Sequence, residues 1–480
     1  MNIKLNRKQL ENKIYGCWLG KNIGGTMGTP YEGTKELLDI NGYSSPKGEP
    51  LPNDDLDLQL VWLRAMEQVG PYSLSPSILG EYWMTVVTPH WNEYGIGKSN
   101  MVKGLQPPLC GELGNEGWKH SNGAWIRSEV WACLAPGFPN VAIKYAIMDA
   151  CIDHGVAEGT YAEIYTAALE SIAFVENDIR KVVETALTYI PADSRVAQCV
   201  QLVLDEYDKK TPYREVRNML VKLTEDLGWF QAPANVGYVV IGLIYGEGDF
   251  KKSLIYSINC GDDTDCTGGT CGAILGIMLG GDNIPMDWRE YIGDRIITMC
   301  INGSYRGGLA RTCTELTEKV MRMIPTVLQA QDIYMEYTDE EQVYDQEAAF
   351  KVLEGYSLKY MDRSPYSFDV KCGYYLDAKV EYEKAPVIKP GEEFKIKVTF
   401  HNRSTQPYHV DVDMYLPEGW TADYGRSAYV TCATRNTSAD TVYEAVVTAG
   451  EKVLTKNNIV LHVACPISSM PLLIPVTLLG

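Results

Sequence analysis

The stretch Gly261-Asp262-Asp263-Thr264-Asp265-Cys266-Thr267-Gly268-Gly269-Thr270-Cys271-Gly272-Ala273-Ile274-Leu275-Gly276-Ile277-Met278-Leu279-Gly280-Gly281 carries two signals. Its first part packs Asp262, Asp263 and Asp265 between glycines. Carboxylates this close repel one another unless a cation or a proton neutralises them. The plain alternative is an acidic turn that only caps the next helix, since Asp and Thr favour N-caps. Its second part sets Gly268, Gly272, Gly276 and Gly280 every fourth residue, on one face of a helix. Gly16, Gly20, Gly24 and Gly28 repeat that spacing near the start of the chain. A glycine inside a helix costs about 1 kcal/mol relative to alanine. Two such stripes therefore imply two helices crowded by neighbours at the centre of a domain. The last one or two glycines of the first stripe are expected in a turn, because Thr29-Pro30 follows.

Outward from these stripes the pattern stays helical. Leu56, Leu60 and Leu63 recur at helical spacing, as do Ala146 and Ala150, then Ala168 and Ile172. No convincing strand precedes Tyr337. An all-α domain is expected over 1–335, followed by an acidic helical or linker segment over 336–365. From Tyr366 the period changes to two. Phe394, Ile396, Val398 and Phe400 alternate with polar residues, as do Tyr408, Val410, Val412, Met414 and Leu416. Pro390-Gly391 and Pro417-Glu418-Gly419 are turn signals. A β-sandwich accessory domain is expected over 366–480. The fold class is thus multidomain, α then β.

The 480 residues exceed one ordinary domain, and the formal net charge is -19. A field of that sign argues against nucleic acid or an anionic membrane as partner. An anionic small molecule remains compatible if a metal or an arginine reverses the field locally. The thirteen cysteines are scattered without a C-x-x-C pair, which suits reduced thiols in a cytoplasmic protein. Met1 to Glu11 is polar and does not resemble a signal peptide. No apolar run approaches the ~20 residues of a membrane helix. Asn402-Arg403-Ser404 and Asn436-Thr437-Ser438 match the glycosylation pattern, which has no meaning in a cytoplasmic chain.

Two further acidic clusters accompany the first. Glu32 sits on a glycine-flanked turn, and Asn53-Asp54-Asp55 opens a helix. Helix-dipole capping explains one acid there well and two adjacent acids less well. Gly95-Ile96-Gly97-Lys98-Ser99 is not a phosphate loop, since Asn92 stands where the pattern needs glycine. Ser121 to Arg127 reads as a turn entering a helix. His154, near a helix break, is a candidate for site work, although a lone histidine there is more often structural. Glu32, Asp54, Asp55, Asp263 and Asp265 are oxygen donors that suit hard divalent cations. They would balance two such ions, which can orient hydroxyls and activate water.

These residues together resemble the ADP-ribosylglycohydrolase family. Gly16 through Glu32 is similar to its glycine-rich opening, Asn53-Asp54-Asp55 to its Thr-Asp-Asp, Asn122-Gly123-Ala124 through Arg127 to its Asn-Gly-Ala-x-x-Arg, and Gly261 to Cys266 to its Asp-Thr-Asp-Thr. The resemblance implies an all-α hydrolase with two divalent cations, Mg²⁺ or Mn²⁺, cleaving the bond between ribose C1″ and a nitrogen or oxygen acceptor. It makes Asn53, Asp54, Asp55, Asp263, Asp265 and Cys266 the metal ligands. Glu32, Asp54 and Asp265 become the catalytic groups, and Glu32, Asn122, Gly123 and His154 face the substrate. Asn53 and Cys266 stand where the family usually has threonine, and a thiol is a poor partner for a hard ion. Gly95 falls near a position where some members carry an acid, so one substrate-contacting acid is expected to be missing. Asp262 is left a supporting or solvent-facing role. Residues 366–480 lie outside this resemblance. Their Leu416-Pro417-Glu418-Gly419-Trp420 is similar to NEW3-type β-sandwich modules.

The expected partner is a small-molecule or ADP-ribosylated substrate, with the oligomeric state open. A non-nucleotide sugar glycoside is the alternative substrate for the same site. A metal-free acid and base pair is a second enzymatic reading. A degenerate member that binds ADP-ribose or a sugar without turnover is a third.

Overall fold

The structure, a computed structural model, describes residues 1–305, 307–372, 375–434 and 437–480. Asn436 of the second glycosylation-type sequence lies outside them.

The helices Arg7–Gly28 and Thr264–Leu279 lie against each other backbone to backbone. A Cβ at Gly20 would stand 2.0 Å from the carbonyl oxygen of Gly272, and one at Gly24 would stand 2.0 Å from that of Gly268. No side chain fits such a gap, which is why both stripes are glycine. The first helix runs through Gly28, so Gly24 and Gly28 are helical and not in a turn. The reason is that the partner's backbone presses on both: a Cβ at Gly28 would stand 2.2 Å from the Thr264 carbonyl oxygen. Thr29–Tyr31 then forms a 3₁₀ turn whose early proline needs no N–H partner.

Other helices wrap this pair, and the region to Gln329 is helical with one exception. Strand β1 (Asn2–Asn6) pairs in parallel with β2 (Tyr334–Thr338), burying Ile3 and Leu5. That corrects the expectation of no strand before Tyr337. The pairing joins distant segments and has no local turn to announce it. Beyond β2, the helices Gln346–Lys351 and Tyr356–Met361 return to the helical body. Asn140 Nδ2 donates to the Phe350 carbonyl at 2.8 Å, and the Tyr344 hydroxyl donates to that of Gly137 at 2.6 Å.

The C-terminal part is two antiparallel sheets face to face. One orders β3 (Ser367–Cys372), β4 (Leu376–Tyr382), β5 (Glu393–Asn402), β9 (Asp440–Thr448) and β7 (Thr421–Tyr424) as β3-β4-β5-β9-β7. The other orders β6 (Tyr408–Tyr415), β8 (Ser427–Val430), β10 (Lys456–Ala464) and β11 (Leu472–Leu479) as β11-β10-β6-β8. Phe394, Ile396, Val398 and Phe400 of β5 face Val410, Val412, Leu461 and Val463 in one core. Leu105, Leu109 and Cys110 of the helical region belong to that same core.

Candidate active site

The site forms where three chain segments end together. Gly28 brings the end of the first helix onto the start of Thr264–Leu279, and Thr264 Oγ1 donates to the Gly28 carbonyl at 2.8 Å. The helix Asp54–Val69 starts beside them, with Asn53 Nδ2 standing 2.4 Å from where a Cβ of Gly25 would be. The Glu32 turn is tied to the acidic loop by Gly33 N–H to the Asp262 carbonyl (2.8 Å) and Asp262 N–H to that of Thr34 (2.7 Å). Two helix N-termini therefore point their partial positive charge at the same carboxylates.

The result is a cavity of about 380 Å³. Glu32, Asp54, Asp263, Asp265 and Cys266 lie on its wall with Asn122 and Gly123. Single oxygens of Glu32, Asp263 and Asp265 lie within 4.8 Å of one another, and so do ligand atoms of Asp55, Asp265 and Cys266. Asp265 belongs to both groups, and its Oδ1 is buried without a hydrogen-bond partner among the described residues. Burial and mutual repulsion push the carboxyls of Asp263 and Asp265 well above the usual range. Burial and the Asp55 charge push Asp54 up to about 6. A group of acids in this state is relieved by a cation or by protons. The oxygen-only set of Glu32, Asp263 and Asp265, one of whose members has an unpartnered buried oxygen, fits a hard divalent cation.

The remaining residues singled out from the sequence fall into place around this set. Asn53 turns its carbonyl oxygen to the Asp55 N–H at 2.7 Å and so serves as the helix cap. Asn122 Nδ2 donates to Asp263 Oδ2 at 2.7 Å, and Trp125 Nε1 donates to Asn122 Oδ1 at 3.0 Å, which fixes the amide's orientation. Gly123 leaves room for Glu93, whose Oε1 would be 2.3 Å from a Cβ there. Asn53, Asp55 and His154 are buried and are not on the cavity wall. His154 sits behind that wall, between Asp153 Oδ1 (2.8 Å) and Ser121 Oγ (3.1 Å). Asp153 is in turn held by Arg127. Asp262 is buried, at a φ of 65°, and accepts from Phe230 N–H and Asn235 Nδ2. It is therefore a support for the loop and does not face solvent.

Several wall residues gave no signal in the sequence. Trp91, Tyr94, Trp118 and Phe230 supply aromatic surface. Glu93 supplies an acid two residues before Gly95, and burial pushes it up to about 7. Gly95 itself cannot carry a side chain, since its Cβ would meet the His90 carbonyl oxygen at 2.4 Å. Asp57, one turn after Asp54, accepts from the N–H groups of Met299 and Cys300, both at 2.6 Å, and so holds Met299 at the wall. Lys21 of the glycine-striped helix lies beneath Asp55. Its Nζ is 3.0 Å from Asp55 Oδ2 and 2.8 Å from Glu129 Oε1.

A helical body with convergent carboxylates at paired helix starts is thus joined to a β-sandwich. The sequence model of the ADP-ribosylglycohydrolase family matches residues 6–331, and the chain belongs to that family. A relative from Archaeoglobus fulgidus, described as an uncharacterized protein, is 24% identical over 307 residues, covering 60% of this chain and 93% of its own. A solved structure described as an ADP-ribosylglycohydrolase-related protein complex is 17% identical, with a TM-score of 0.43, covering 66% of this chain and 99% of that one. Among the described residues no helix is long and apolar enough to cross a membrane.

Proposed function

We propose that the chain is a metal-dependent hydrolase of a glycosidic bond, with ADP-ribosyl groups linked through ribose C1″ to a nitrogen or oxygen acceptor as its substrate class. The observation that carries this reading is the convergence of Glu32, Asp263 and Asp265 oxygens, with a buried, unpartnered oxygen on Asp265. Glu32, Asp263 and Asp265 would hold Mg²⁺ or Mn²⁺, with Asp54 beside them. A divalent cation there supplies a Lewis acid for sugar hydroxyls and for a water. Asn122 keeps Asp263 oriented. Glu32 is exposed at the mouth, and the water it has lost and the Asp54 charge raise its carboxyl above the ordinary range. Its place beside the ion would let it take a proton from the attacking water. Departure of the leaving group from an oxocarbenium-like centre would then be stabilised by the surrounding carboxylates. Free, buried thiols such as those of Cys17, Cys133, Cys260 and Cys271 support a reducing, cytoplasmic setting.

A second reading has its own support. The cavity wall carries aromatic rings and acids but no Lys, Arg or His among the described residues. A pyrophosphate would find no side-chain cation there, whereas a neutral sugar glycoside could stack on Trp91, Trp118 or Phe230. A hydrolysis panel decides between them: ADP-ribosyl-arginine, ADP-ribosyl-serine and simple sugar glycosides, each with and without chelator. Turnover of an ADP-ribosyl substrate that chelator stops is expected from the first reading. Turnover restricted to sugar glycosides would replace it with the second. Turnover that survives chelation would remove metal dependence from both.

A further inference from the structure

The acids of this site differ in what already satisfies them. Asp54 Oδ2 accepts from the Tyr94 hydroxyl at 3.2 Å, and Asp263 Oδ2 accepts from Asn122 at 2.7 Å. Asp55 is engaged at both oxygens. Lys21 Nζ stands 3.0 Å from Oδ2, and Cys266 Sγ donates to Oδ1 at 3.3 Å. Lys21 is itself held on every side. Its Nζ donates to the Ile126 carbonyl at 2.7 Å and to Thr270 Oγ1 at 3.1 Å, and it pairs with Glu129 at 2.8 Å. Glu129 is fixed in turn by Gln59 Nε2 at 2.7 Å. The Lys21 side chain is 1% exposed and that of Asp55 0%.

An ammonium buried this deeply persists only with close partners, and here its protons go to Ile126, Thr270 and two carboxylates, with its single charge shared between Asp55 and Glu129. It gives Asp55 part of the compensation, and all of the fixing, that a bound cation would otherwise give. Lys21 is not adjustable, because Gly269 and the crossing helices enclose its stem: a Cβ at Gly269 would stand 3.1 Å from Lys21 Cδ. The second ligand group, Asp55, Asp265 and Cys266, therefore has one member already paired with Lys21. It has another whose thiol is soft and already donates to Asp55. Glu32, Asp263 and Asp265 have neither handicap.

We infer that this centre takes one hard divalent cation, held by Glu32, Asp263 and Asp265, and that the Lys21 ammonium stands in for a second. The inference rests on the metal-dependent reading above. Lys21 is on this view a positioning residue that holds Asp55 in place without a metal.

The test is Mn²⁺ binding to the full chain, by equilibrium dialysis and by electron paramagnetic resonance. One Mn²⁺ per chain is expected, with the spectrum of an isolated ion. Two per chain with the spectrum of a spin-coupled pair would overturn the inference and leave the proposed function standing. No bound Mn²⁺, with hydrolysis that ignores chelator, would overturn the metal-dependent reading itself. Cys266→Thr should still bind one ion, because Lys21 remains. Two ions in that variant would assign the limit to the thiol and overturn the role given to Lys21. Lys21→Met with Cys266→Thr should bind two ions and gain more in melting temperature from Mn²⁺ than the wild type does. That double variant is expected to fold poorly without metal. If it does not fold with metal either, the wild-type and Cys266→Thr stoichiometries still decide the matter. One ion in a folded double variant would overturn the inference.

Discussion

At the scale of single residues, the site is a problem in placing charge. Asp265 has a buried oxygen with no donor, whereas Asp54 and Asp263 each accept one hydrogen bond. Asp265→Ala should therefore abolish metal-dependent hydrolysis and Mn²⁺ binding together. Asp54→Ala should abolish hydrolysis while weakening Mn²⁺ binding less. Full activity in either variant would remove that residue from the machinery. Asn122→Ala leaves the donor set intact but frees Asp263 to rotate. A loss of roughly 10–100-fold in metal affinity is expected, as for other groups that orient a ligand, and calorimetric titration would measure it. His120 adds a pH dependence of its own in acid. Burial and nearby Lys119 lower His120 from 6.5 to about 4, and its Nδ1 is buried without a partner. Between these values the unfolded chain takes up a proton that the folded chain refuses. This group's contribution to stability therefore falls as pH falls through that window and is constant above it. Removing that contribution, His120→Gln should make the melting temperature fall less, or rise more, than that of wild type as pH drops from about 6.5 to about 4. An unchanged slope would show that His120 is protonated in the folded state.

At the scale of elements, the glycine stripes fix where the acids meet. Gly272→Ala would set a Cβ 2.2 Å from the Gly20 carbonyl oxygen, in a pair of backbones with no slack. The expected cost is about 3 kcal/mol, read as a fall in the urea midpoint. Gly42→Ala, with nothing within 4 Å of its Cβ, should stay within about 0.5 kcal/mol of wild type. Equal effects would mean that the stripe does not set the helix contact. The crowding of both striped helices was legible in the sequence because the spacing of a helix face is a local property, but their contact with each other was not; the expectation that Asp54 meets Asp263 and Asp265 rested on their shared donor chemistry and on the family resemblance. Lys21 was not legible. A lysine is read as surface by default, and its partners Asp55 and Glu129 come from other elements. Glu93, Trp91 and Phe230 were hidden for a related reason. They reach the cavity from helix starts and loops, where side-chain direction has no period to betray it. The β1–β2 pair joins the two ends of the helical region, and only long-range packing reveals it.

At the scale of the whole molecule, the question is how far the two parts depend on each other. The sandwich core is not self-contained, because it buries Leu105, Leu109 and Cys110 of the helical region. Lys371 Nζ also donates to the Leu74 carbonyl at 2.9 Å. Removing residues 366–480 would return those apolar side chains to water, at about 25 cal/mol per Å² of apolar surface. The segment that precedes the sandwich belongs energetically to the helices. Tyr344 packs edge-on to Phe138 with ring centroids 5.9 Å apart, and Phe350 and Tyr356 pack against the helical core. The two possible cuts should therefore differ. A chain ending at residue 365 should keep its helical circular dichroism, with a lower melting temperature and a tendency to associate through the face uncovered at Leu105 and Leu109. A chain ending at residue 335 also loses most of β2, Tyr344 and both short helices, and should melt lower still. Thermal unfolding followed by circular dichroism ranks them. If both truncations melt at the wild-type temperature, the sandwich and the connecting segment contribute nothing to the helical domain. If the longer one fails to fold at all, the helical domain is not an independent unit, and the site at Asp54 and Asp265 depends on the sandwich for its shape.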